Sequence, residues 1–201
     1  MLEINHKNDI IIPFKKIGEP GWIEKTKLII QSYADVWGEK TPKTKTQQSI
    51  DQLEQKLGTQ LPDSLKLFYT EFGVADIGEQ LLDFSKIGWL KNIWAKNPEQ
   101  GPNFSKEELS ILPHLVVFSD YLGNGNMFCF HSKNKAVYYF DHDQKPLLQK
   151  LFNSVDDYIK GCLIFSQAAL CNENLQEKVD SWVEAVAIDC FGKSTVKKWR
   201  Y

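Results

Sequence analysis

Three short apolar runs stand close together between residues 114 and 143: Leu115 to Phe118, Met127 to Phe130 and Ala136 to Phe140. Two polar connections part them, Ser119 to Asn126 and His131 to Lys135. Branched and aromatic residues suit a pleated, partly buried surface, while Gly, Asn, Asp and Ser supply turns. Runs this close pair most simply as an antiparallel meander, because a parallel crossover needs a dozen or more connecting residues. The expected fold class is therefore α+β, with a curved antiparallel sheet around residues 114–143 packed against several helices.

The flanks read mainly as helices. Ile10 to Phe14 is an apolar run, but Pro13 demotes it to an edge strand or a packed extended segment. Pro20 suits a first helical turn, and Ile23, Ile30, Tyr33 and Trp37 follow at helical spacing before Gly38. The run TPKTKTQQ at 41–48 reads as a joint between this N-terminal extension and the main body. Ile50, Leu53 and Leu57 form a second helical stripe, and Leu65, Phe68, Tyr69 and Phe72 a third, each closed by Gly. Short strands are expected at 74–77 and 81–84, then an irregular aromatic stretch around Trp89 and Trp94. Ser105 and Glu108 form a capping-box pair. Beyond the meander, an edge strand is expected at 147–152 and a helix from Ser154 with Tyr158, Cys162 and Phe165 inward. A long helix should follow near Glu173–Cys190, its stripe being Leu175, Val179, Trp182, Val186 and Cys190. Val196 to Tyr201 reads as a terminal strand. Trp22, Trp37 and Trp182 fall in helical patterns and are expected in the core.

Composition narrows the function classes. Hydrophobic residues are 42% and aromatics 12% of 201 residues, enough for a sizeable core. No stretch approaches a membrane span, and the start lacks the basic and apolar regions of a signal peptide, so a cytoplasmic location is expected. The four cysteines form no CxxC pair and read as free, mostly buried thiols. Arg200 is the only arginine, which argues against nucleic acid as a partner, since phosphate sites lean on the bidentate guanidinium. Formal net charge is -2, yet residues 61–130 hold five Lys against nine Asp or Glu. Such a region suits a basic protein partner, or is simply a solvated acidic surface.

Chemical motifs are scarce. His131, Asp141 and Asp143 form the densest titratable cluster, and a hairpin that brought them together would offer metal-ligand chemistry. Their spacing matches no specific site, so no metal or cofactor is expected. Asp120 to Asn126 resembles a calcium loop only superficially, because Leu122 occupies a ligand position. Gly123 and Gly125 lack the third glycine of a dinucleotide loop, Phe128 standing there instead. The segment reads as a glycine-rich turn. No nucleophile elbow, zinc-protease, P-loop or kinase motif occurs.

Four blocks carry a family resemblance: Ile50 to Gly58 with Leu61-Pro62 and Leu65 to Gly73; Phe118 to Phe130; Val137 to Asp143; and Leu151 to Ile159. Their order and spacing resemble the SUKH superfamily, the group that includes the yeast cell-wall-assembly regulator and many bacterial immunity proteins. The resemblance covers about residues 47–165 of one expected SUKH-like domain spanning 1–201. A helical extension at 1–46 and the C-terminal helix at 173–192 lie outside it. Many members have Asp where Asn126 stands, and often a second Gly where Val74 stands. The resemblance implies a non-enzyme that binds and neutralises a cognate protein toxin, of nuclease or deaminase type, by blocking it directly. It also leaves room for a regulatory scaffold like the yeast member; a metal-dependent enzyme using His131, Asp141 and Asp143 is the remaining alternative. By charge and loop placement, the surface residues expected to face a partner are Asp76, Glu79, Asp83, Trp89, Trp94 and Asp120.

Overall fold

A six-stranded antiparallel sheet forms the centre of the molecule, and its strands come from the stretch where the apolar runs crowd together. The computed structural model describes residues 1–38, 42–94, 103–120 and 123–200; the side chain of Trp94 is also outside the described set. The helices are α1 (Trp22–Trp37), α2 (Gln47–Leu57), α3 (Asp63–Phe72), α4 (Leu90–Trp94), α5 (Lys106–Ile111), α6 (Val155–Ser166), α7 (Gln176–Phe191) and α8 (Lys193–Arg200). The strands are β1 (Gln80–Leu81), β2 (Gly88–Trp89), β3 (Leu115–Asp120), β4 (Met127–His131), β5 (Val137–Phe140) and β6 (Leu148–Phe152). Their order is β1-β3-β4-β5-β6, with β2 pairing beside β1 along β3, and every pairing is antiparallel. The meander at 114–143 is β3, β4 and β5, as the spacing of the runs requires.

Alternation of side chains gives the sheet two apolar faces. Val116, Phe118, Phe128, Phe130 and Tyr139 pack with Phe68, Tyr158 and Trp199 in the largest core cluster. Val117, Cys129 and Phe140 face the other way, towards Leu90 and Leu147. A third cluster joins Ile4, Ile164, Val179 and Val183, so the N-terminal segment and α7 pack on α6. Burying both faces explains why β3 is apolar for four residues in a row.

Several expected elements changed. The 10–14 run forms no strand; it is the packed extended segment. Both amide groups of Ile11 are taken by one side chain, Gln167, at 2.8 and 2.9 Å, which does the work of a neighbouring strand. At 74–77 only a single bridge, Asp76 to Gln80, forms, and of the strand expected at 81–84 only Leu81 pairs, as the second residue of the two-residue β1. The terminal stretch is the helix α8, not a strand, because Val196 and Trp199 lie one helical turn apart and both bury. In α7 the buried row is Val179, Val183 and Ala187, one residue off the expected stripe, leaving Trp182 and Val186 half-buried and Cys190 exposed. The largest miss is Trp37, 61% exposed instead of core. Helix α1 buries Trp22, Thr26, Ile29 and Ile30, and its last turn turns Trp37 to the surface.

Candidate functional site

The segment after α3 builds an acidic edge on the sheet. The Asp76 carboxylate accepts the Gly78 amide at 2.7 Å, closing a tight turn. Gly78 has φ +85°, and a Cβ there would stand 3.2 Å from the Cβ of Ser166, so both backbone geometry and the approach of α6 call for glycine. The chain then pairs Gln80 with Asp120 and Leu81 with Ser119. The Ser119 hydroxyl donates to the Gln80 carbonyl at 2.8 Å and receives the Tyr158 hydroxyl at 2.7 Å, tying this edge to α6.

This turn directs Glu79 inward. Expected on the surface, Glu79 is instead 2% exposed. One carboxyl oxygen lies 3.5 Å from the Arg200 guanidinium, while Oε2 has no hydrogen-bond partner among the described residues. Burial pushes its pKa up to about 8, opposed by Arg200 and reinforced by Asp76 and Asp120. At neutral pH the group is therefore mostly the neutral acid. Asp76, Glu79 and Asp120 converge on this edge, with Asp120 half-buried and accepting the Gly123 amide at 3.1 Å.

The other expected residues divide. Asp83 is exposed and shares a hollow of about 260 Å³ with Asp76. It accepts Lys45 Nζ at 2.8 Å, and the Lys45 and Ser85 hydrogen bonds hold its pKa down at about 2. Trp89 is half-buried and donates its indole N–H to the Leu57 carbonyl at 3.0 Å. That bond ties β2 to the end of α2, so Trp89 is a structural joint apart from the acidic edge. The side chain of Trp94 lies outside the described residues.

The hairpin register separates the expected metal ligands. Phe130 faces Val137 and Met127 faces Phe140, which puts His131 at the turn end and Asp141 at the other. His131 lies opposite Ala136, five residues of strand from Asp141, or about 17 Å. Asp141 accepts the Asp143 amide at 3.0 Å, and His131 Nδ1 accepts the Lys133 amide at 3.2 Å. Among the described residues no group of three or more His, Cys, Asp or Glu is placed to hold a metal ion. Proximity in sequence misled here, because antiparallel pairing folds residue 131 back onto 136, not 141.

Sequence reasoning missed the other side of Glu79. A cleft of about 330 Å³ is lined by Glu79, Arg200 and Trp199 together with Tyr33, Trp37 and Phe165. The Arg200 guanidinium stands 4.7 Å above the Phe165 ring. A signal existed in the chain's one arginine, lying next to a tryptophan in a helix with Lys197 and Lys198. The fold alone reveals that it meets Glu79, 121 positions earlier.

An open antiparallel sheet under packed helices defines an α+β protein, and the edge at Asp76 and Asp120 is its acidic border. The family model of the SMI1 / KNR4 family (SUKH-1) matches residues 45–161, and the chain belongs to that family. The matched region runs from before α2 into α6, so α1, α7 and α8 lie outside it. The family includes immunity proteins, is linked to protein–protein interactions and is generally non-catalytic. No curated protein and no solved structure matches the chain significantly. No helix among the described residues is long and apolar enough to cross a membrane.

Proposed function

We propose that the protein is a bacterial immunity protein that neutralises a cognate toxin of nuclease or deaminase type by binding it directly. The observation that carries this reading is the pair of carboxylates Asp76 and Asp120 on the sheet edge, with the exposed Asp83 beside them, on a member of a family linked to protein–protein interactions. Enzymes acting on nucleic acids present basic channels, and a complementary acidic surface speeds encounter and rejects wrong partners. The mechanism is occlusion: the protein covers the channel and needs no chemistry of its own. Cytoplasmic residence follows from this role, because a cell must meet the toxin where the toxin acts.

The test is co-expression with the toxin encoded beside this gene. Growth should be restored and the two proteins should co-purify. Unrelieved toxicity with a stably expressed protein would sink the reading for that pair.

A further inference from the structure

The cleft beside Glu79 does not end at Arg200. A second hollow of about 560 Å³ shares Phe165, Ala168 and Arg200 with it and is lined by Glu177, Asp180 and Glu184. These three acids follow at spacings of three and four on α7, so they occupy one helical face. The two hollows share a wall and make a continuous groove, lined among the described residues by four carboxyl groups and the Arg200 guanidinium. Its aromatic wall is Tyr33, Trp37 and Phe165, and Trp37 is a large apolar side chain left open to solvent. At the inner end sits Glu79, almost wholly buried, with one oxygen unpartnered among the described residues.

A buried carboxyl group with an unmet oxygen is costly unless something pairs with it. Aromatic faces attract guanidinium and ammonium groups, as Arg200 over Phe165 already demonstrates in this groove. Among the described residues, an anionic occupant would meet four carboxyl groups against one guanidinium. We propose that this groove receives a basic segment of the partner protein, an Arg or Lys side chain pairing with Glu79 between the aromatic wall and the acids of α7. This rests on the reading that the protein works by binding another protein, and it names the surface and the chemistry of the occupant. Tyr33, Trp37, the α7 acids and Arg200 come from α1, α7 and α8, outside the family match, while Glu79 lies inside it, so this chain's extensions build walls around a residue of the matched region.

Binding should be linked to proton release. The carboxyl of Glu79 faces Arg200, Asp76 and Asp120, and the Tyr158 phenol and Cys162 thiol near it are held neutral by burial. With a pKa of about 8, Glu79 gives up its proton to pair with a cation at pH 7. Affinity should therefore rise as pH rises from 6 to 8, by up to about tenfold per unit.

The probe is acetyl-Gly-Arg-Gly-Arg-Gly-amide, titrated calorimetrically into the full chain, with the citrulline peptide as the uncharged control. The arginine peptide should bind more tightly at pH 8 than at pH 6 and release protons, and the citrulline peptide should not bind. Glu79→Gln, which keeps the shape of the neutral acid and whose fold circular dichroism verifies, should weaken binding about tenfold or more. The pair Glu177→Gln and Asp180→Asn, on the exposed face of α7, should weaken it several-fold, and Glu107→Gln on α5 should leave it unchanged. Absent peptide binding, equal binding by Glu79→Gln, or equal binding of the citrulline peptide would each overturn the proposal. Rescue of growth by Glu79→Gln at the wild-type level would remove the groove while leaving immunity standing. Glu79-dependent peptide binding without rescue by the wild type would do the reverse.

Discussion

Gly161 on α6 lies directly under the indole of Trp199 on α8: a Cβ at Gly161 would stand 2.6 Å from Cζ3 and 2.8 Å from Cη2. The indole cannot swing aside, because Phe152 and Phe165 meet it edge-on at 5.3 and 5.2 Å. This single missing methyl lets the C-terminal helix seat on the family core.

Gly161→Ala should therefore destabilise the protein by about 1–3 kcal/mol, the overpacking outweighing alanine's helix preference of about 1 kcal/mol. Trp199→Ala should cost about 3–5 kcal/mol. Urea denaturation followed by circular dichroism measures both. An unchanged midpoint for Gly161→Ala would mean that α8 is loosely held.

Gly73 closes α3 with φ +63° and ψ -139°, a conformation for which side chains are poorly suited. A Cβ there would also meet the Lys43 carbonyl oxygen at 2.2 Å. The stretch from Lys43 to Lys45 is thus strapped across the end of α3, helped by the Lys45 amide bonding the Tyr69 carbonyl at 2.9 Å. Gly73→Ala should lose about 3 kcal/mol or more, from strain and from displacing backbone. Thermal melts would contradict this if the variant matched the wild type.

Glu79 makes stability depend on pH in a fixed direction. Its folded pKa, about 8, lies above the ordinary value of 4.5, so between those values the folded chain holds a proton the unfolded chain gives up. Its contribution is fully present below about pH 4.5, is lost as pH rises towards 8, and stays lost above it. The loss is on the order of 3–5 kcal/mol. Glu79→Gln should flatten this fall and be the more stable form at pH 8. Parallel denaturation curves for both forms from pH 5 to 8 are the check, and equal slopes would refute the assignment.

Asn126 is buried and bridges the turn to β5: its Nδ2 donates to the Tyr139 hydroxyl at 3.0 Å, and its Oδ1 accepts the His142 amide at 3.1 Å. Oδ1 also lies 2.7 Å from His142 Nδ1, which must therefore carry the proton. Asn126→Ala should cost about 1–3 kcal/mol by removing these buried hydrogen bonds. Asn126→Asp keeps the acceptor, and the Tyr139 hydroxyl can turn to donate, so its cost should be smaller. Denaturation of both variants at pH 7 would overturn this account if the order were reversed.

Much of the frame was legible along the chain. The runs at 115–118, 127–130 and 136–140 specify β3, β4 and β5 because period-two patterning and short turns leave an antiparallel meander as the simple pairing. Ile50, Leu53 and Leu57 announced α2, and Ser105 with Glu108 announced the cap of α5, whose two bonds are present. The family blocks lie in this same frame. Val196 to Tyr201 went wrong because six residues carry too little periodicity to separate helix from strand. Trp37 went wrong because α1's apolar stripe continues past the body it packs on.

The candidate site was only half legible. Charge counting put Asp76, Glu79, Asp83 and Asp120 in one acidic region, and the fold does bring three of them to one edge. Local sequence thus determined the meander strands β3 to β5 and the edge strand β6, most helix positions, the family and the excess of acid. Tertiary structure alone decided that Glu79 points inward, that Arg200 meets it, that His131 and Asp141 sit at opposite hairpin ends, and that Trp37 stays in solvent. Hydrophobic periodicity is read within a dozen residues, whereas the environment of a charge is set by whichever distant elements pack around it.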